Sequence, residues 1–329
     1  MSKFGRIHNY FSQILLGLIL LVAVIYLSMS SPHFLTWNNI RNILDQSALL
    51  VILGVGMTVV ICTAGIDLSV GAVVGLSGVC MATAMHSGIS VEVAILLGLI
   101  TGIIVGLING LIISIFNINP FIVTLGSMSV TRGIALIITG GIPIYGFGAA
   151  FSWLGKSFTW WGSGHIGPVN PPMLLALGTA ILGAIILNYT KLGSYTLALG
   201  GNEEALHRSG IATKKYKVII YGICGFTAAL AGLVVTARLN TAEPLAGYMF
   251  ELDAIAAVVL GGTDMKGGRG SISGTVIACL LLGVLRNGLT IMSIPSYYQQ
   301  LAIGLIILAA VITSELRFRN TMNRLRDAN

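Results

Sequence analysis

Long apolar stretches with very few charges between them dominate this chain of 329 residues. Apolar residues make up 55% of it and charged residues only 9%, against about a quarter charged in a soluble domain. A helical crossing of a bilayer needs about 20 predominantly apolar residues, and several stretches reach that length. Ten-residue strands alternating between a lipid face and a lumen face are not found in the sequence. The sequence therefore predicts an all-α, polytopic bundle of transmembrane helices.

The apolar stretches predict about ten membrane segments within a single transmembrane domain, residues 1–329. They lie near 11–31, 48–64, 68–86, 91–116, 120–139, 172–189, 218–236, 251–262, 271–289 and 297–314. The first is long enough to span, so we interpret it as an uncleaved helix rather than a signal peptide. The eighth is short, which leaves a half-helix or a re-entrant segment as the alternative to a full crossing.

Lysine and arginine residues predict the orientation of these segments. With the N-terminus inside, the outer segments hold only Arg41, Lys156, Arg238 and Arg286, and Arg132 falls within a helix. All the other basic residues lie inside, which is the bias expected of cytoplasmic loops and places both termini in the cytoplasm. Residues 140–171 then form the large outer loop and 190–217 the large cytoplasmic loop. The net charge of +7 is thereby explained without nucleic acid.

Neither an enzyme nor a metal site is indicated by the sequence. The five histidines are scattered, and no Cys, His or carboxylate cluster has metal-ligand spacing. No phosphate-binding loop occurs, so we expect no catalytic residue, no metal and no cofactor in this chain. The glycine-rich run 261–270 is instead typical of a flexible turn. The four cysteines lie in apolar segments and predict free thiols, not disulfides.

Three polar residues are candidates either for a translocation path or for a structural role: Asp67, Arg132 and Asp253. The two aspartates begin predicted helices, where a carboxylate readily caps backbone N–H groups, and Glu92 has the same interpretation. Arg132 falls in mid-helix, so it either pairs with a buried carboxylate or faces an aqueous path.

Packing within the bundle and its symmetry can also be predicted. Gly98, Gly102, Gly106 and Gly110 recur at four-residue spacing, which lets another helix approach closely. The stretches around Asp67 and Asp253 are alike and begin the third and eighth segments. Because these are five segments apart, the match predicts a 5+5 inverted repeat, with chance similarity of apolar segments as the alternative.

Charged residues are concentrated in the large cytoplasmic loop, where 202–210 has the ends of a short helix. Asn202 is a favoured N-cap, Glu204 and Arg208 have favourable four-residue spacing, and Gly210 suits a helix end. Lys214, Lys215 and Lys217 follow and are expected to meet anionic lipid headgroups. A helix this short needs packing to be stable, against its own bundle or against a partner. An ordinary charged loop that anchors the topology is the alternative.

Three motifs resemble a known family. G-M-T-V-V-I-C-T-A-G-I-D-L-S-V-G at 56–71, G-G-N-E-E-A-L-H-R-S-G-I at 200–211 and E-L-D-A-I-A-A-V-V-L-G-G-T-D-M-K-G-G-R-G at 251–270 closely resemble permease subunits of bacterial ABC importers for ribose and related monosaccharides. The likeness runs from about residue 32 to residue 312. It implies a multi-pass protein of the bacterial inner membrane that works by alternating access and carries ribose, another pentose, a hexose or autoinducer-2.

The resemblance also implies partners. They are a second permease copy, two nucleotide-binding ATPase subunits that use the ATP, a periplasmic or lipid-anchored sugar-binding protein, and membrane lipid, with no nucleic acid. It implies an ATPase-coupling helix at Gly201, Asn202, Glu203, Glu204, Ala205, Leu206, Arg208 and Ser209. An ion-coupled secondary transporter is the alternative class, and it would need ionisable groups near the membrane midplane.

Overall fold

The structure, a computed structural model, describes residues 3–147, 150–302, 304, 305 and 308. Its helices and strands are α1 (Lys3–Ser30), α2 (Trp37–Ile61), α3 (Val70–His86), α4 (Val91–Phe116), α5 (Pro120–Thr139), β1 (Ile144–Tyr145), α6 (Trp160–Ser163), α7 (Pro171–Tyr189), α8 (Lys191–Arg208), α9 (Thr213–Leu239), β2 (Thr241–Ala242), α10 (Phe250–Leu260) and α11 (Ile272–Ile291). Residues 296–302 are helical as well.

The all-helical, polytopic architecture is confirmed, but the expected number of ten helices is not. Within the described ranges, α6 and α8 are additional helices that the apolar pattern did not predict. Seven helices are long and apolar enough to cross a membrane, whereas α3 has 17 residues and α10 only 11. The last predicted segment, 297–314, lies partly outside the described residues, and Arg317, Arg319, Arg324 and Arg326 lie wholly outside them. The orientation therefore stays a prediction.

The first half of α8 was not predicted, because it is neither strongly apolar nor rich in helix formers. Thr190 precedes it, and the Oγ1 of Thr190 accepts a hydrogen bond from the Gly193 N–H at 3.3 Å, which caps the helix. Thr196 and Leu199 are buried against the bundle. Packing and capping thus form a helix that propensity alone does not indicate.

α2, α3 and α9 form the centre of the bundle. Most of their side chains are buried, and they pack against one another and against α4, α10 and α11. This burial explains why these helices are apolar all round rather than along one stripe. α1, α5 and α7 lie at the periphery and expose most of their apolar surface.

Three of the four stripe glycines of α4 lie directly on α9, whereas Gly98 faces Met81 and Ser77 of α3. A Cβ added to Gly102 would meet the carbonyl oxygen of Gly225, and one added to Gly106 would meet that of Tyr221. At Gly110 the added Cβ would lie 2.6 Å from the Cα of Val218. The two helices are therefore in contact through their backbones, which only the absence of side chains allows.

The large loop between α5 and α7 is tied to the rest of the bundle by several contacts, of which two involve β1 and Glu92. Its strand β1 pairs antiparallel with β2, joining Ile144 to Ala242 and Tyr145 to Thr241. Glu92 Oε1 accepts hydrogen bonds from the Ser152 hydroxyl at 2.6 Å and from the Leu154 N–H at 3.1 Å. Glu92 therefore anchors this loop; the interpretation as a helix cap was wrong, because loop donors occupy the carboxylate.

Candidate coupling helix and intramembrane polar sites

The predicted short helix is present as the second half of α8. The backbone leaves the helical region at Asn202, with φ −161° and ψ 97°, and the chain bends there. Asn202 Oδ1 accepts a hydrogen bond from the Ala205 N–H at 2.8 Å, so this side chain caps the helix that follows. The helix ends at Arg208, and Gly210 takes the left-handed conformation at φ +82°. Asn202 and Gly210 therefore delimit a two-turn helix, as predicted, which we call the coupling helix (203–208) after the role that the resemblance implies.

Most of the coupling segment is open to solvent. The exposed predicted residues are Gly201, Asn202, Glu204, Ala205, Arg208 and Ser209, whereas Glu203 and Leu206 are half-buried. Glu204 Oε1 and Arg208 Nε form the expected ion pair at 3.0 Å, with both side chains more than two-thirds exposed. The segment thus presents a polar, charged face that the described part of the chain leaves uncovered.

Lys217 does not extend toward lipid headgroups as expected. Its Nζ lies 2.6 Å from Glu203 Oε2, and only 15% of the Lys217 side chain is exposed. The two residues are fourteen positions apart, so spacing along one helix could not reveal the pair. The ion pair joins the start of the coupling helix to α9 and corrects the assignment of Lys217 to the membrane surface; Lys214 and Lys215 are exposed.

We predict that Asn202→Ala loosens the coupling helix without disturbing the bundle. The substitution removes the acceptor for the Ala205 N–H, and loss of an N-cap typically costs about 1 kcal/mol. Hydrogen–deuterium exchange should speed up roughly fivefold at residues 203–208 and stay unchanged in α4 and α9. Asn202→Ser, which retains a capping oxygen, is the control. Equal exchange in Asn202→Ala and the unmodified protein would contradict the capping role.

Three glycine-containing segments meet at the start of the coupling helix; we call this contact the glycine junction (Cys62, Gly200, Gly267 and Gly268). The Gly268 N–H donates to the carbonyl oxygen of Cys62 at 2.9 Å, which links the turn 261–270 to the end of α2. A Cβ on Gly200 would meet both of those atoms and lie 2.8 Å from the Gly267 Cα. The run 261–270 is a turn, as predicted, and it packs against the coupling segment.

Asp67 lies in the non-helical segment 62–69 between α2 and α3, not at the N-cap position. Ser69 is the N-cap residue, and Asp67 Oδ1 accepts from the Ser69 N–H at 2.9 Å and the Ser69 hydroxyl at 2.6 Å. Asn109 Nδ2 of α4 donates to that same hydroxyl at 2.9 Å. Since Asn109 lies about 10 Å along α4 from its end at Phe116, the turn is inside the bundle. Asp67 is 1% exposed and shapes this break.

Arg132 was expected either to pair with a buried carboxylate or to face an aqueous path, but its hydrogen bonds go to the main chain. Its Nη1 donates to backbone carbonyl oxygens, at 2.6 Å to Ala246 and 3.2 Å to Pro244. These carbonyls belong to the non-helical segment 243–249, which precedes α10. Glu251, which is 8% exposed, interacts electrostatically with Arg132. Arg132 thus holds the second break of the bundle through main-chain acceptors, which side-chain patterns do not reveal.

Asp253 lies in the first turn of α10 but does not cap it. Arg286 Nη2 of α11 donates to both carboxylate oxygens of Asp253 at 2.7 Å. The interpretation as a cap was wrong, because an arginine on the neighbouring helix occupies the carboxylate. The three polar candidates are not brought together: within the described ranges, Asp67, Arg132 and Asp253 each bind different partners.

Metal-binding and disulfide chemistry find no support in the described part of the chain. It holds no group of three or more His, Cys, Asp or Glu residues arranged for a metal ion. All four cysteines are free; Cys62, Cys224 and Cys279 are buried, and Cys80 is half-buried.

The chain is similar to known transport proteins over most of its length. Residues 39–311 match the family model described as the branched-chain amino acid transport system, permease component. The ribose import permease protein of Escherichia coli K12 is 42% identical over 91% of both chains, and that of Bacillus subtilis 168 is 45% identical over 90% of both. The D-allose transport system permease protein of Escherichia coli K12 is 38% identical over 90% of this chain and 89% of the relative. No solved structure matches.

The resemblance carried by the three motifs is thus confirmed by whole-chain similarity. The apolar helices, the free thiols and the transport relatives agree with a membrane-spanning permease. The chain belongs to the permease-component family of ABC transport systems, together with the ribose import permeases.

Proposed function

We propose that this chain is the permease subunit of an ATP-binding-cassette importer that moves a monosaccharide, ribose by preference, into the bacterial cytoplasm. The observation that carries the proposal is the coupling helix, an exposed and end-capped element that no other part of the described chain covers. Its loop is also the one that the Lys and Arg distribution assigns to the cytoplasm. The ribose import permeases among the relatives support the choice of sugar.

In this proposal the coupling helix docks on a separate ATPase subunit, and a second permease copy and a sugar-binding protein outside complete the importer. Closure of the ATPase pair moves the coupling helix. The glycine junction passes that motion on, because the same backbone contact includes the end of α2 and the turn after α10. The non-helical segment 62–69 follows α2, and the non-helical segment 243–249 precedes α10. In this proposal these two segments move during alternating access.

We infer a 5+5 inverted repeat with both termini inside. In each half a long buried helix, α2 or α9, is followed by a non-helical segment and then by a short apolar helix, α3 or α10. The packing supports the pairing, because α2 contacts α10 and α11 in the way that α9 contacts α3 and α4. Superposition of α2–α4 on α9–α11 by a two-fold axis in the membrane plane would test the repeat. A poor fit would exclude it.

Transport in proteoliposomes tests the proposed function. We expect labelled ribose to accumulate only when this chain, its ATPase, its binding protein and ATP are all present. D-Allose and L-arabinose serve as competitors, since relatives named for those sugars are 38% and 33% identical to the chain; another sugar of this class, or autoinducer-2, is the alternative cargo. Uptake driven by a proton gradient without ATP would overturn the importer in favour of an ion-coupled transporter.

The double substitution Glu204→Ala/Arg208→Ala tests the docking role of the coupling helix. Because this ion pair is exposed, its loss should change the free energy of unfolding by less than about 1 kcal/mol. Loss of a charged contact with the ATPase, by contrast, should lower ATP-driven uptake at least about tenfold. Lys156→Ala, in the loop between α5 and α7, is the matched control. Normal uptake by the double variant would exclude these side chains from coupling.

A further inference from the structure

A cavity of about 170 Å³, with a mostly apolar lining that includes several polar side chains, lies between α2, α10 and α11, close to the end of α9. Its polar lining residues and one aromatic residue are Gln46, Ser47, Arg238, Phe250, Asp253 and Arg286. At roughly 15 Å³ for each water-sized group, the cavity has room for about ten such groups. That is the scale of a small organic molecule rather than of a single water or a disaccharide.

Ser47 supplies the wall of the cavity with a buried hydroxyl that residues within the described ranges leave unpaired. The residue is 2% exposed, and its hydroxyl has no hydrogen-bond partner among the described residues. A buried hydroxyl without a partner costs about 1–3 kcal/mol, so native structures rarely leave one unpaired. A ligand hydroxyl or a water in the cavity would satisfy it.

Gln46 indicates that the cavity is reached from water. It lies about 14 Å along α2 from Trp37, within a helix apolar enough to span the membrane, and it is exposed. An amide facing hydrocarbon would lose its hydrogen bonds to water, which is expensive in lipid. Gln46 is therefore expected to face an aqueous space, not the acyl chains.

The charges around the cavity are balanced. Asp253 is bound by Arg286, and Arg238 lies within electrostatic reach of the buried Asp45. The wall itself carries Arg238 and Arg286 against Asp253, and Asp45 behind it supplies the second negative charge. The paired charges therefore offer hydrogen-bond donors and acceptors with little net charge to select an ion. Phe250 adds an apolar ring face. This combination suits a neutral polyhydroxyl molecule, which presents hydroxyl groups at its edges and C–H groups on its faces.

We propose that this cavity is a transit subsite for a monosaccharide, in which Ser47 and Gln46 bind sugar hydroxyls and the Asp253–Arg286 pair forms a polar wall. The subsite rests on the proposed import function and names where, within one permease chain, the sugar is bound. With sugar bound, the Ser47 hydroxyl has a hydrogen-bond partner. Without sugar, Gln46 faces water.

Labelling of Gln46→Cys by a membrane-impermeant thiol reagent tests the subsite in proteoliposomes that contain the assembled importer. We expect Gln46→Cys to be labelled, and millimolar D-ribose, D-allose or L-arabinose to slow the labelling at least about threefold, which corresponds to occupancy above half. Sucrose, which is too large, should not slow it. Leu44→Cys, exposed on another face of α2, should remain unlabelled in the membrane; the native thiols are buried or half-buried.

Ser47→Ala separates binding from structure. Because the hydroxyl lacks a protein partner, its removal should leave the melting temperature unchanged or raised, and should leave labelling of Gln46→Cys in the absence of sugar unaltered. It should raise the sugar concentration that gives half-protection about fivefold, as expected for one lost hydrogen bond. Unlabelled Gln46→Cys, or equal labelling with all three monosaccharides and with sucrose, would overturn the subsite. If ATP-driven uptake by the unmodified importer persists in that case, only the subsite fails; if uptake is absent too, the import function fails.

Discussion

Gly106→Ala should destabilise the protein, although alanine is ordinarily the better helix former. The added Cβ would meet the carbonyl oxygen of Tyr221 and lie 2.9 Å from its carbonyl carbon and 3.1 Å from the Gly222 Cα. All three atoms belong to the backbone of α9, so no side chain can turn away to make room. α4 and α9 must separate, and overpacking of this kind costs about 1–3 kcal/mol.

The measurement is the melting temperature, followed with a thiol-reactive dye, because Cys62, Cys224 and Cys279 become accessible only on unfolding. A fall of about 2–10 °C is expected for Gly106→Ala. Gly126→Ala in α5 is the matched control, since nothing lies within 4 Å of its added Cβ. The free energy of unfolding of the control should rise by up to about 1 kcal/mol, because alanine is the better helix former. The two variants should thus shift in opposite directions, and shifts of the same sign would contradict backbone contact between α4 and α9.

Gly200→Ala should impair ATP-driven uptake far more than its small size suggests. The added Cβ would push against Cys62, Gly267 and Gly268 at once, so the coupling helix, the end of α2 and the turn 261–270 can no longer share one contact. If the glycine junction carries the motion of the coupling helix, uptake should fall about tenfold, equivalent to about 1.4 kcal/mol. ATP hydrolysis should continue, because the proposed importer has its ATP site on another chain.

Gly201→Ala is the control for the glycine junction. It is the next residue of the same helix, and its added Cβ would have no neighbour within 4 Å. The ratio of sugar transported to ATP hydrolysed is the informative quantity, because it separates lost coupling from lost ATPase binding. A normal ratio in Gly200→Ala would show that the junction does not transmit motion. A low ratio in both variants would place the effect in the coupling helix itself.

The sequence predicted those features that depend on neighbours along the chain. Run lengths of apolar residues indicated the membrane helices, and the four-residue glycine spacing indicated the packed face of α4. The order of Asn202, Glu204, Arg208 and Gly210 indicated the coupling helix because caps and same-face pairs are local. These predictions succeeded where one element contains all the residues that decide its conformation.

Contacts between distant segments escaped the sequence analysis. Arg132 binds main-chain carbonyls more than a hundred positions away, and such acceptors have no residue type that a pattern could detect. Asp253 and Arg286 lie on different helices. The partners of Glu92 likewise lie far along the chain, in the loop between α5 and α7. A carboxylate near a helix start looks like a cap in every case, and only the tertiary fold shows which donor reaches it first.

The glycine stripe between α4 and α9 has a consequence for how those helices align along their length. Because the glycines recur at every fourth position, sliding α4 by one turn would place glycine where glycine had been. The stripe permits close approach but does not by itself set the vertical register. Polar bonds to α4 set it instead: the Ser114 hydroxyl donates to the Lys214 carbonyl oxygen at 3.3 Å, and Asn109 binds Ser69. A slip of one turn, about 5.4 Å, would break both bonds while leaving the glycine contact almost unchanged.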